Sequence, residues 1–243
     1  TRVLLLYKKG DRMDIKNYRP ISIVNYFLKV LDGIILKRSA GILEESNRLA
    51  RNQWAGRLGT GTAEALGLID AAIDHATRNT IKGKPIFGIG TDTWKAYDTV
   101  PWRVMIERIE RIGLRTLAKT IRIIYRDLSM VLYIAHGLTR AIKQLQGLAQ
   151  GLPSSPLAYI IFTNPKILLL AASPHGYLIE ARKKAWPYAR IERTPSARVG
   201  ILAIIDDEIF LSGTFEGAQW AADIMTDFGH YNGWTPRRVT RAQ

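Results

Sequence analysis

Two apolar segments lying far apart in the chain each run directly into carboxylates. Pro85 to Thr91 reads as a strand that delivers Asp92 at its end, although Gly88 and Gly90 weaken it. Val199 to Ile205 is rich in β-branched residues, ends at Asp206-Asp207-Glu208, and is followed by a second apolar run, Ile209-Phe210-Leu211. That pattern predicts a strand, turn, strand hairpin with acids at its tip. Carboxylates at strand ends in a folded core are costly to desolvate unless a cation compensates them. One Asp at a turn is ordinary turn chemistry, so the weight of the pattern rests on what accompanies it.

The chain has no Cys, and its four His (His75, His136, His175, His230) fall at no metal-ligand spacing. Any metal must therefore sit on oxygen ligands, which suits a hard divalent ion. Two Mg²⁺ ions about 3.5–4 Å apart can activate a hydroxyl and stabilise a leaving pyrophosphate. Lys and Arg number 35 against 21 Asp and Glu, a formal charge of +14 that points to a polyanionic partner rather than a small-molecule substrate. A ribosomal or architectural protein would carry the same excess, so charge names the partner class and not the chemistry. At 243 residues and 47% hydrophobic content the chain can bury a core as one domain or two intimate subdomains. No apolar run reaches the roughly 18 residues needed to span a bilayer, so no membrane partner is expected. The opening on Thr1 and the interrupted pattern from Arg237 to Gln243 read as a piece of a longer polypeptide.

Val3 to Tyr7 predicts a strand, and Lys8 to Arg12 a charged turn. The apolar residues from Ile21 to Leu36 predict a turn leading into a buried helix. Gly56 to Gly61 is a glycine-rich loop without the spacing of a dinucleotide or phosphate loop, and Ala63 to Ala76 continues as a helix. Helices are predicted from Pro101-Trp102 and around Leu117 to Tyr125, then a hairpin turning at Gly137. A capping Ser155 and Pro156 open a further helix, and an amphipathic helix runs from Gly213 to His230. Strands and helices mix without a regular βαβ beat, which predicts an α+β fold.

Lys8-Lys9-Gly10-Asp11, Asn17 to Ser22, Asn52-Gln53 with Gly56-Arg57 and Gly59-Thr60, Asp92 to Asp98 with Val100-Pro101-Trp102, Gln150 to Pro156, and Ile204-Ile205-Asp206-Asp207 occur in that order. In this order the blocks resemble the reverse transcriptases of non-LTR (LINE-type) retrotransposons, with group II intron proteins as the next nearest kin. The resemblance implies a right-hand polymerase with fingers over 1–85 and palm over 86–243. It also implies fingers elements interleaved around 115–145, an antiparallel palm sheet packed on helices, and no thumb. Asp92 and Asp206, with Asp207 beside them, would hold two Mg²⁺ ions. Tyr97 would lie under the incoming sugar and reject a 2′-hydroxyl, Lys9 and Arg19 would contact the triphosphate, and Gln150 and Gly151 would approach nucleotide and template. Asp98 is expected to cap or orient the helix after Asp92 rather than bind metal.

The partners so implied are an RNA template, a DNA primer and dNTPs, with thumb and endonuclease domains flanking in the parent polyprotein. A nuclear location follows if the element is eukaryotic. Arg182 to Arg190 interleaves cations with Trp186 and Tyr188 in the manner of a nucleic-acid surface. The chain departs from the family in Ile204, where an aromatic is usual, in Trp94, and in having no clear counterpart of a lysine usual near the end. Two other readings stay open: an RNA-binding remnant without catalysis, and an intron-encoded maturase.

Overall fold

The computed structural model describes residues 1–57, 59–78, 85–93, 95–134, 137–180, 196–233 and 236–242, the last segment by its backbone. Trp94 and the Arg182–Arg190 stretch lie outside the described residues. The elements in order are β1 (Arg2–Tyr7), β2 (Tyr18–Ile23), α1 (Tyr26–Ser46), α2 (Thr62–Arg78), β3 (Phe87–Thr93), α3 (Trp102–Arg111), α4 (Arg115–Arg126), β4 (Ser129–Ile134), β5 (Gly137–Leu138), β6 (Ile142–Lys143), α5 (Ser155–Ala171), β7 (Tyr177–Glu180), β8 (Ser196–Val199), β9 (Ile201–Ile204), β10 (Asp207–Ser212), α6 (Phe215–Tyr231) and β11 (Pro236–Ala242). The mixture is α+β, as the sequence predicts.

The chain divides into two compact units, each gathered from distant segments. One holds Thr1–Leu49, Lys95–Thr163 and Asn232–Trp234, the other Ala50–Trp94, Asn164–Tyr231 and Thr235–Gln243. A single boundary near residue 85 is a different partition. Strand pairing explains the interleaving: β4 joins β1 in one sheet, while β3 joins β9 and β10 in another.

In the first unit the strand order is β2-β1-β4-β5, with β6 also on β4. β1 and β2 are antiparallel, and β1 runs parallel to β4. β2 is an edge strand, which is where Pro20 can be accommodated without losing a ladder bond. α3 buries Met105, Ile106 and Ile109, and α4 buries Leu117, Ala118, Ile121 and Tyr125, one face of each helix.

The segment from Ile21 to Leu36 differs from expectation. Its first residues form β2 rather than a turn, and α1 is largely exposed. Asn25 caps α1, accepting from Phe27 N–H at 2.9 Å, but the helix buries only Asp32, Ser39 and Leu43. Tyr26, Phe27, Val30, Leu31 and Ile34 face outward. The mixed apolar spacing came from two elements read as one.

The second unit is a four-stranded antiparallel sheet, order β11-β3-β10-β9, beside a β7-β8 hairpin. Side-chain alternation divides its strands between two cores. Ile89, Ala203 and Phe210 pack with Ile167 and Leu170 of α5 and with Ala218, Ala221, Ala222 and Met225 of α6. Leu202 and Leu211 point the other way and pack with Ala65, Ala72 and Ala76 of α2. Each fully buried large side chain contributes roughly 1.5–3 kcal/mol, so the sheet is clamped on both faces behind its acidic end. The expected single strand from Val199 to Ile205 is broken at Gly200, where a Cβ would meet Phe210 at 3.3 Å. β8 pairs β7, and β9 pairs β10.

Candidate active site

The register of the second sheet brings the acids together. Glu208 pairs Thr91, Ile209 pairs Gly90 and Phe210 pairs Ile89; one step further along this antiparallel ladder sets Asp207 opposite Asp92. Asp207 also pairs Ile204, leaving Ile205-Asp206 as a two-residue turn. Ile205 there has φ 61, a left-handed conformation that is rare for a β-branched residue. Its N–H donates to Gln53 Oε1 at 3.1 Å, and Gln53 is only 1% exposed.

Asn52 to Trp54 run alongside β9. Ala203 N–H donates to Asn52 O at 2.9 Å, and Trp54 N–H to Ala203 O at 2.8 Å. Asn52 Nδ2 adds a bond to Ile201 O at 2.9 Å. The Asn52-Gln53 block, expected within the fingers, belongs to the same compact unit as the acids and braces their turn.

Burial pushes the Asp206 carboxyl above the ordinary aspartate range, and the negative charges of Asp207, Asp92 and Glu208 push it further in the same direction. Asp92 and Asp207 are exposed and border a pocket of about 320 Å³ whose walls include Ala65, Ile69, Leu202, Ile204 and Ile209. Among the described residues no three His, Cys, Asp or Glu side chains are drawn closely enough together to hold a metal ion. Asp92 and Asp207 are nonetheless oxygen donors of the kind a hard divalent cation takes, and they stand in an open, solvent-facing arrangement.

Glu208 does not share the position of its neighbours. Alternation turns it to the opposite face of the sheet, where Lys166 Nζ donates to its Oε2 at 2.6 Å, with side chains 3% and 1% exposed. Thr91 Oγ1 reaches the same oxygen at 3.3 Å. The Lys166 ammonium also lies over the Phe228 ring, 5.1 Å from its centroid.

The other predicted residues lie in the first unit. Tyr97 stacks on the buried Tyr159 with ring centroids 5.2 Å apart and an interplanar angle of 7°. Lys9 sits on the exposed β1–β2 turn and Arg19 on β2, both exposed. Gln150 O accepts from Ser22 N–H at 2.8 Å, and Gln150 Nε2 donates to Asp98 Oδ1 at 3.2 Å. Asp98 does not cap the following helix: Pro101 holds the cap position of α3 without a side-chain bond. Burial raises the Asp98 carboxyl, opposed by the Gln150 bond and the Lys95 charge. Gly151 has φ 144, and a Cβ there would overlap the Ser22 carbonyl oxygen, so the fold itself demands glycine.

The loop before α5 is tied from several sides. Asp32, fully buried, accepts Ser154 N–H at 2.8 Å. Tyr125 OH accepts Ala149 N–H at 2.9 Å, and Trp102 Nε1 donates to Gly147 O at 2.5 Å. Ser155, predicted as the cap of α5, is its first residue and donates to Ala149 O at 2.8 Å. Gln53, Asp32, Lys166 and Glu208 were not predicted as site residues. A charge alone in an apolar run, as at Lys166 and Asp32, is the signal that could have marked two of them.

An antiparallel sheet clamped by helices and carrying acids at one end is the architecture of a right-hand polymerase. Solved telomerases share it. The whole chain overlays 41% of the telomerase of Candida albicans, solved with a TWJ fragment of telomeric RNA, at a TM-score of 0.65 and 12% identity. It overlays 44% of the apo telomerase of Candida tropicalis at 0.63 and 13%. Residues 7–233 match the model of the family described as reverse transcriptase (RNA-dependent DNA polymerase), and the chain belongs to that family. It is also 29% identical over 220 residues to the retrovirus-related Pol polyprotein from type-1 retrotransposable element R2 of Nasonia vitripennis, a match over 90% of the chain and 19% of that polyprotein. The likeness expected from the motifs, to the non-LTR class, is thus the likeness found.

Proposed function

We propose that this chain is the polymerising core of a non-LTR retrotransposon protein that extends a primer 3′-hydroxyl with dNTPs on an RNA template. The observation that carries the reading is the placement of Asp207 opposite Asp92 at one end of the second sheet, with Asp206 in the adjoining turn. The Asp206 carboxyl is raised chiefly by its burial, with smaller contributions from the charges of Asp207, Asp92 and Glu208. Asp92 and Asp206 are the proposed Mg²⁺ ligands, with Asp207 as accessory; two bound ions would activate the primer hydroxyl and stabilise the leaving pyrophosphate. Lys9 on the exposed β1–β2 turn and the exposed Arg19 on β2 would meet phosphate, Arg19 with a guanidinium fork. Tyr97, fixed flat on Tyr159, offers a rigid ring against which a 2′-hydroxyl would clash. Gln150 and Gly151 would shape the nucleotide approach from a loop tied down by the bonds of Gln150 to Ser22 and Asp98. Fingers and palm roles for 1–85 and 86–243, flanking thumb and endonuclease domains, and a nuclear location in a eukaryotic host belong to the same proposal.

The test is primer extension by the full-length polypeptide on an RNA template with dNTPs and Mg²⁺, with Asp206→Asn as control. Extension that survives this substitution removes the site assignment. Ile204, in the wall of the acidic pocket where the family has an aromatic, favours a second reading as an RNA-binding remnant. Salt-sensitive RNA binding without incorporation would decide for it.

A further inference from the structure

We propose that Lys166, Glu208 and Thr91 form a staple beneath the sheet that positions Asp92, Asp206 and Asp207, making them positioning residues rather than ligands. The inference rests on the polymerase reading above. In sequence, Glu208 looks like a third acid of the Asp206-Asp207 tip. In the sheet it faces away from Asp92 and Asp207, and its Oε2 receives both Lys166 Nζ at 2.6 Å and Thr91 Oγ1 at 3.3 Å. Thr91 immediately precedes Asp92, and Glu208 immediately follows Asp207. One carboxylate oxygen therefore ties both acid-bearing strands to α5 at the very residues flanking the ligands.

Stability alone does not account for this pair. Its side chains are 3% and 1% exposed, and the buried Glu208 Oε1 finds no hydrogen-bond partner among the described residues. Burying two charges and leaving one oxygen unmet is expensive, and apolar residues of similar volume commonly serve stability as well or better. What an apolar pair cannot supply is a directional bond to Thr91. The staple thus trades stability for a fixed relation between β3 and β10, the relation on which metal-binding geometry depends.

The experiment uses the full-length polypeptide. The double variant Lys166→Met/Glu208→Leu should keep its melting temperature, yet lose about tenfold or more in turnover and need about tenfold more Mg²⁺ for half-maximal rate. Its KM for dNTP should stay unchanged. Wild-type turnover and Mg²⁺ dependence in that variant would overturn the proposal. If the double variant fails to fold, Thr91→Val decides: it leaves the ion pair and the shape of residue 91 in place, and its Mg²⁺ requirement should rise, whereas an unchanged requirement refutes the staple. Mn²⁺ affinity measured by calorimetry separates this claim from its foundation. Wild-type protein that extends no primer defeats the polymerase reading, while equal Mn²⁺ affinity in wild type and variants defeats the staple.

Discussion

Replacing Gly151 by Ala tests whether that glycine serves the nucleotide or the fold. At φ 144 a Cβ would strike the Ser22 carbonyl oxygen, a backbone atom of β2 that cannot rotate aside. The left-handed backbone costs an L residue roughly 1–3 kcal/mol. Relief of the overlap must move either β2 or the loop, which breaks the 2.8 Å bond from Ser22 N–H to Gln150 O, worth about 1 kcal/mol. The sum is about 2–4 kcal/mol, or a fall of roughly 4–16 °C in Tm for a chain of this size.

The matched control is Gly33→Ala. Gly33 lies inside α1 with nothing within 4 Å of a built Cβ, and Ala is favoured there by up to about 1 kcal/mol. Thermal melting of both variants, alongside KM for dNTP, separates the explanations. A Gly151→Ala protein that melts with wild type and shows only a raised KM would refute the reasoning, because it would place the need for glycine at the nucleotide.

Two further outcomes are expected. Gln53→Ala removes the acceptor of Ile205 N–H together with the buried Nε2, which has no hydrogen-bond partner among the described residues; these effects oppose, so unfolding in urea should shift by only about 1 kcal/mol. Turnover should fall far more, since a misplacement of about 1 Å can cost ~100-fold, and a loss of rate no larger than the loss of stability would count against the brace. Asp98 has a folded pKa above its ordinary 3.8, chiefly through burial, so the stability of its protonated form is fully present below 3.8 and is lost as pH rises through the higher folded value. Asp98→Asn should therefore stabilise the protein at pH 7 and make no difference in acid below that value; a variant less stable than wild type at pH 7 would reverse the sign.

The helices α2, α3, α4 and α6 were legible because each carries one apolar stripe at helical spacing, which survives whatever it packs against. The region from Ile21 to Leu36 was not, for a reason outside local pattern. Strand alternation in β2 and the helical stripe of α1 abut without a glycine between them, and α1 leaves its apolar residues exposed while burying Asp32. Burial of an acid can be understood only once Ser154 N–H is seen to need an acceptor. Gly200 breaks the Val199–Ile205 run because of Phe210, a neighbour brought in by the hairpin.

The site shows the same divide at finer scale. Residue type and spacing singled out Asp92, Asp206 and Asp207 as strand-end acids, since acids at the ends of apolar strands are legible one segment at a time. Their division of labour was not, because it depends on register. A two-residue turn places Ile205-Asp206 at the tip, and the ladder that sets Asp207 opposite Asp92 turns Glu208 away. Had the turn been one residue longer, the Glu208 side chain would have taken the face that Asp92 and Asp207 now share, and Asp207 would have faced the Lys166 ammonium. The Gln53 bond to Ile205 is what holds the shorter turn in a conformation that its own residue type resists. The constraint therefore runs from a buried amide in the Asn52–Trp54 segment, through one strained residue, to the register that sets Asp207 opposite Asp92 and turns Glu208 away.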